Sequence, residues 1–134
     1  MVKALAWIED DANIIDETVE LLERAGHKIH RIRSVRDALD QVDLIRRCDL
    51  ILLDIILPPG DVPRTYSRYS GVELLKQLRE EYQVKTPALV LSVVSNVDVH
   101  RQLWELGIEG IIGKVILPSK FTERVEQILE KGRQ

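Results

Sequence analysis

Residues 50–55 read Leu-Ile-Leu-Leu-Asp-Ile and are aliphatic except for one aspartate, Asp54. A continuous aliphatic run of this length is typical of a strand that is buried on both faces of a sheet. An aspartate has no structural use in such a strand, because burying an unpaired carboxylate is energetically costly. The stretch therefore predicts a central strand with a functional carboxylate near its end.

Apolar runs alternate with amphipathic stretches along the rest of the chain. Strands are predicted at 4–8, 27–33, 50–55, 88–92 and 110–113, and helices at 13–25, 34–45, 72–78, 98–106 and from 118 onward. The order is (βα)₅, and buried strands that alternate with helices indicate an α/β fold with a parallel sheet covered on both faces.

Composition limits the class of protein. A length of 134 residues suits one domain, residues 1–134, with no output domain visible. The net charge of −3 argues against a dedicated nucleic-acid binder, and no segment resembles a signal peptide or a membrane span. The single cysteine, Cys48, excludes a disulfide framework and favours a cytoplasmic setting.

Polar side chains occur where four of the predicted strands end. They are Glu9, Asp10 and Asp11 after the first strand, Asp54 in the third, Ser92 at the end of the fourth and Lys114 after the fifth. Each alone also suits a structural role, such as a helix cap, a turn or a solvated surface position. Ligands of open α/β sheets bind at the carboxyl ends of the strands, so their joint occurrence there favours a functional site.

The residue types at these strand ends indicate phosphoryl transfer. Carboxylates about 5 Å apart repel by roughly 3 kcal/mol at an effective dielectric constant of about 20, unless a cation lies between them. Carboxylate oxygens without histidine or cysteine select Mg²⁺ or Mn²⁺. Lys114 and Ser92 can each donate to a phosphoryl oxygen, and Asp54, from the middle of the sheet, is the natural nucleophile.

The sequence resembles the receiver domain of bacterial two-component response regulators from Val2 to about Lys131. The motifs that carry the resemblance are WIEDD at 7–11, DLILLDIILP at 49–58, TPALVLS at 86–92 and the Gly113-Lys114 step. The resemblance implies a flavodoxin-like (βα)₅ three-layer sandwich with strand order 2-1-3-4-5.

The resemblance also implies a role for each site residue. Asp54 would be the phosphoacceptor, Ser92 the switch hydroxyl and Lys114 the lysine of the site. The implied Mg²⁺ ligands are the carboxylates of Glu9, Asp10 and Asp54 and the backbone carbonyl of Ile56, while Asp11 would be an acidic neighbour without metal contact. The chain would be a regulatory phosphoacceptor, not a metabolic enzyme.

Partners follow from the same resemblance. A sensor histidine kinase or a histidine phosphotransfer protein would supply the phosphoryl group. Phosphorylation would remodel the face made by the fourth helix, the fifth strand and the fifth helix, for a downstream protein that the sequence does not identify. Homodimerisation through the last two helices is common in the family and stays open here.

Four features depart from the family pattern. Val115 follows the lysine where proline is usual, Ile111 replaces an aromatic residue, and Val93 replaces alanine or glycine, so that its branch narrows access to the phosphoryl group. The loop at 58–71 is about eight residues longer than usual; it is either a tolerated insertion or a lid whose Arg64 or Arg68 steadies phosphate. The three replacements leave a phosphate-independent pseudo-receiver as the alternative function.

Two other classes fit less well. An aspartate-nucleophile phosphatase of the haloacid-dehalogenase type needs a second aspartate two residues after the nucleophile, where this chain has Ile56. A flavodoxin-type cofactor binder would have a Ser/Thr-rich loop after the first strand. Outside the site, we expect Trp7 and Trp104 to pack in the core or against helices, and the histidines to be solvated.

Overall fold

Five parallel strands form the centre of the computed structural model, which describes residues 3–10, 12–114 and 116–131, with only the backbone described at 12–15. The strands are β1 (Ala4–Ile8), β2 (Lys28–Ile32), β3 (Leu50–Asp54), β4 (Ala88–Ser92) and β5 (Gly110–Gly113). They lie in the order β2-β1-β3-β4-β5, with every neighbouring pair parallel. The predicted flavodoxin-like fold and strand order are confirmed.

Six helices are present in the described part of the chain, where the sequence predicts five. They are α1 (Ala12–Arg24), α2 (Val35–Asp40), α3 (Val42–Arg47), α4 (Ser70–Glu80), α5 (Val97–Glu105) and α6 (Pro118–Lys131). The prediction of a single helix after β2 is wrong, because the backbone leaves helical geometry at Gln41, which separates α2 from α3. The fourth and fifth predicted helices are therefore α5 and α6. None of the described helices is long and apolar enough to cross a membrane.

The core has one apolar layer on each face of the sheet, because successive side chains of a strand point to opposite faces. In β3, Ile51 and Leu53 pack with α2, α3, α4 and α5, while Leu50 and Leu52 pack with α1 and α6. Trp7 belongs to the second layer and stacks on Phe121, with ring centroids 5.4 Å apart. Both layers stabilise β3 as the central strand and fix the position of Asp54 at its end.

Two expectations about aromatic residues and histidines are wrong. Trp104 is 54% exposed, because Val99 and Leu103 form the inward side of α5. His27 is buried and pairs with Glu126 of α6, which a solvated histidine would not do. Both errors concern contacts between elements, which the local pattern does not contain.

Candidate functional site

The predicted polar residues meet at the carboxyl edge of the sheet. Asp54 and Ser92 are the last residues of β3 and β4, while Glu9 and Lys114 directly follow β1 and β5. Glu9, Asp54 and Ser92 are buried, whereas Asp10 is exposed. Asp11 and Val115 lie outside the described residues.

Lys114 lies between two carboxylates. Its Nζ atom donates to Asp54 Oδ2 at 2.9 Å and lies 3.0 Å from Glu9 Oε2. The other carboxylate oxygen of Asp54, Oδ1, accepts a hydrogen bond from the backbone N–H of Ile56 at 3.0 Å. Each oxygen of Asp54 thus faces a donor, and the donors fix the orientation of the carboxylate.

One ammonium group does not offset all the negative charge at the site. Burial raises the pKa of Glu9, and the hydrogen bond and charge of Asp54 raise it further, to about 7, although Lys114 acts in the opposite direction. Burial opposes the charge of Lys114, but hydrogen bonds and charges from Asp54 and Glu9 outweigh burial and raise its pKa. The site therefore favours additional positive charge.

Three acidic side chains provide oxygen atoms that can bind a cation. One carboxylate oxygen from each of Glu9, Asp10 and Asp54 lies within 4.8 Å of the other two. This donor set consists of oxygen alone, which fits a hard divalent cation such as Mg²⁺ or Mn²⁺ and not zinc. The acidic cluster of the sequence is thus assembled into a candidate cation site.

The hydroxyl of Ser92 bonds to its own loop and not to the carboxylates. Its Oγ accepts a hydrogen bond from Val94 N at 2.8 Å and donates to Val94 O at 3.3 Å. Val93 is 70% exposed, so its side chain projects from this loop into solvent. Ser92 therefore lies at the edge with the other residues, while its hydroxyl is held by the segment after β4.

Sequence reasoning missed Ser70 and Gly71, which begin α4 although the sequence placed them in the loop. A Cβ atom at Gly71 would be closer to Asp54 O and Ile55 Cα than real Cβ atoms come, so only glycine fits there. Ser70 Oγ accepts from Leu57 N at 3.1 Å and donates to Leu57 O at 2.6 Å. These contacts fix the backbone on the carboxyl side of Asp54, and a Ser-Gly pair just before an apolar helix was the available signal.

The long loop before α4 contacts the start of α2 and the end of α4. The backbone N–H groups of Val35 and Arg36, at the start of α2, donate to the carbonyls of Pro58 and Pro59. Arg64 contacts Tyr66 and Glu81, and Glu81 directly follows the far end of α4. These contacts hold Arg64 at the far end of α4, and the Arg68 guanidinium lies 5.9 Å from the centroid of the Tyr69 ring. They favour the tolerated insertion over the lid in which Arg64 or Arg68 steadies phosphate.

A family profile described as the response regulator receiver domain matches residues 5–126. The chain belongs to the response regulator receiver domain family. The match includes Glu9, Asp54, Ser92 and Lys114, so the receiver domain contains the whole edge described above.

Curated relatives agree with this membership. The chain is 29% identical over 130 residues to the phosphate regulon transcriptional regulatory protein PhoB of Pseudomonas aeruginosa, covering 96% of this chain and 52% of that protein. It is 25% identical over 124 residues to the two-component response regulator ORR3 of rice, covering 90% of this chain and 88% of that protein. The chain thus spans about half of the bacterial regulator and most of the plant one.

Solved structures share the fold. A CheY-like receiver domain protein from Methanospirillum hungatei superposes with a TM-score of 0.78 and 20% identity, covering 98% of this chain and 96% of that one. The chemotaxis response regulator CheY4 of Vibrio cholerae gives a TM-score of 0.76 and 22% identity, covering 96% and 99%. At these identities the likeness concerns the architecture.

Proposed function

We propose that this receiver domain accepts a phosphoryl group on Asp54 in a reaction that requires Mg²⁺ or Mn²⁺. The donor is a phosphohistidine of a sensor histidine kinase or a histidine phosphotransfer protein. The observation that carries the proposal is the environment of Asp54, whose carboxylate ends the central strand and contacts Lys114 and Ile56 N–H beside two further acids.

Asp54 acts as the nucleophile. A carboxylate oxygen of Asp54 attacks phosphorus, the new O–P bond forms, and the N–P bond of the donor breaks. The electron pair of that bond stays with the donor imidazole, which is neutral if it keeps its other N–H. The fixed orientation of the Asp54 carboxylate reduces the entropy lost on reaching the transition state.

Lys114 supplies a positive charge from the protein itself, in addition to that of the divalent cation. Its Nζ atom lies 2.9 Å from Asp54 Oδ2 and can therefore reach an oxygen of a phosphoryl group attached there. Glu9 holds the other side of the ammonium at 3.0 Å, which keeps Lys114 over the acceptor. Lys114 thus stabilises the charge of the transferred group.

The residues that would hold the divalent cation are Glu9, Asp10 and Asp54, together with the backbone carbonyl of Ile56. Their oxygen-only donor set supports this role. When bound, the cation neutralises charge on the phosphoryl oxygens.

Ser92 connects phosphorylation with the surface of the domain. Its hydroxyl leaves Val94 and donates to a phosphoryl oxygen, which changes the loop that leads into α5. Exposed apolar side chains on the α5–β5–α6 side support an output surface there, since Val97, Trp104 and Leu117 are 71%, 54% and 67% exposed. A downstream protein or a second copy of the domain would bind this surface.

The phosphate-independent alternative lacks a supporting observation. The replacements at Ile111 and Val93 lie in β5 and in the loop after β4, and the contacts among Lys114, Asp54 and Glu9 are formed in their presence. A pseudo-receiver would have no use for a partly buried ammonium held between two carboxylates.

A phosphorylation assay tests the proposal. The protein is incubated with Mg²⁺ and acetyl phosphate, and its intact mass is measured. We expect a mass increase of one phosphoryl group that EDTA prevents, that Asp54→Asn abolishes, and that the control Asp61→Asn retains. A wild-type protein that gains no mass, or an Asp54→Asn variant that gains as much as wild type, would contradict the proposal.

A further inference from the structure

We infer that His100 is a positioning residue that couples the Ser92 hydroxyl to helix α5. The inference rests on the proposed function, because it concerns what happens when Ser92 donates to a phosphoryl group on Asp54. It adds a residue that neither the sequence motifs nor the family match assigns to the site.

The carbonyl of Val94 is shared by two donors. Ser92 Oγ donates to it at 3.3 Å, and His100 Nε2 lies 2.9 Å from it. Because a carbonyl can only accept, the imidazole must carry its proton on Nε2. Val94 is therefore bonded to the end of β4 and to the end of the first turn of α5 at the same time.

The segment between these two anchors is short. Only residues 93–96 separate β4 from α5. Asn96 caps α5 by accepting hydrogen bonds from Asp98 N at 2.9 Å and Val99 N at 3.1 Å, and His100 N donates to Asn96 O at 3.1 Å. A displacement of Val94 is thus transmitted to the first turns of α5 and is not absorbed by a long loop.

The Ser92 hydroxyl cannot donate to Val94 O and to a phosphoryl oxygen at the same time. A serine hydroxyl has one hydrogen, and in this structure it is donated to Val94 O. When that hydrogen moves to a phosphoryl oxygen, Val94 O keeps only the bond from His100. His100 therefore makes the switch less costly, because it leaves no half-buried carbonyl unpaired, and it pulls α5 along with Val94.

The output surface lies on the same helix. Trp104 is one turn beyond His100 in α5 and is 54% exposed. The indole N–H of Trp104 can be followed by NMR as a reporter of α5, and the amide of Val94 as a reporter of the switch itself.

The test compares two variants at position 100 with one at position 102. Beryllium fluoride with Mg²⁺ serves as a stable mimic of a phosphoryl group on the acceptor carboxylate. His100→Leu removes the donor, His100→Gln keeps one, and Gln102→Leu is a matched control on an exposed position of α5. Affinity is measured by fluorescence titration and coupling by the two NMR resonances, after unfolding curves establish that each variant is folded.

We expect His100→Leu to weaken beryllium fluoride binding about three- to tenfold, the effect of one lost hydrogen bond in the switched state. The Val94 amide should still shift on binding, while the shift of Trp104 should fall by about half or more, in keeping with partial loss of coupling energy. His100→Gln should restore most of both effects, and Gln102→Leu should match wild type.

The possible failures point to different causes. If the wild-type protein does not bind beryllium fluoride, the proposed function fails and this inference with it. If wild type binds but His100→Leu has the same affinity and the same Trp104 shift, only the role of His100 is overturned. An equal loss in all three variants would show a general weakening of α5 and would also overturn it. Should His100→Leu not fold, His100→Phe, which keeps a planar ring but has no donor, takes its place in the same comparison.

Discussion

The two edges of the sheet pair their polar side chains differently. At the amino edge, the polar side chains bind backbone: Arg79 donates to the carbonyls of Leu106, Val84 and Thr86, and Asp49 accepts from Ala4 N. At the carboxyl edge, Glu9, Asp54 and Lys114 bind mainly one another. Groups committed to backbone stabilise the fold, whereas groups that pair with each other can exchange partners during a reaction.

The largest expected effect comes from removing the ammonium at the carboxyl edge. Lys114→Met should slow phosphorylation of Asp54 by acetyl phosphate about 100- to 1,000-fold, because no side-chain cation then offsets charge on the phosphoryl oxygens. The rate is measured by intact mass over time. Lys120→Met, at an exposed position that pairs with Glu123, is the control and should stay within about twofold of wild type. If Lys114→Met reacted as fast as the control, phosphorylation would not depend on the ammonium at the carboxyl edge. The proposed functional difference between the two edges would then be contradicted.

Removing the cation at the amino edge should give the opposite pattern. Arg79→Leu leaves three backbone carbonyls without their donor, so the free energy of unfolding should fall by about 2–4 kcal/mol. The phosphorylation rate of the folded fraction should not change. Urea unfolding followed by tryptophan fluorescence gives the stability. Arg101→Leu, which breaks a surface pair with Asp98, should cost no more than about 0.5 kcal/mol.

The smallest effect is a pH dependence in the metal-free protein. The pKa of Glu9 is raised to about 7 in the folded state, so between about pH 5 and 7 the folded protein binds more protons than the unfolded chain. Stability should therefore fall as pH rises through this window, by about 2 kcal/mol. The raised pKa of Lys114 also contributes to the stability of the folded state. That contribution is lost only at alkaline pH, so it does not offset the change due to Glu9.

Urea unfolding at pH 5, 6, 7 and 8 in EDTA measures this dependence. Glu9→Gln should flatten the slope, because the variant side chain does not titrate, whereas Glu105→Gln on the exposed side of α5 should keep it. A Glu9→Gln variant as pH-dependent as wild type would show that the carboxyl edge does not hold the expected excess of negative charge.

Much of the architecture could be predicted because its signals are local. Aliphatic runs such as 50–54 and 88–92 mark buried strands, and Ser34 three residues before Asp37 marks the start of α2, where Ser34 Oγ does accept from Asp37 N. The break at Gln41 was not predictable, because apolar residues keep helical spacing across it. Gly71 was missed because its role depends on the backbone of Asp54, seventeen positions earlier in the sequence.

The sequence by itself determined which residues lie at the carboxyl edge. The direction of each strand and the alternation of its side chains fix the position of its last residue. The sequence therefore assigned Glu9, Asp54, Ser92 and Lys114 to one region of the protein. Only the tertiary structure decided how those groups are paired: Lys114 with both Asp54 and Glu9, and Ser92 with the Val94 segment that His100 also holds. Such pairing depends on the three-dimensional positions of atoms from separate elements, which no pattern within one element encodes.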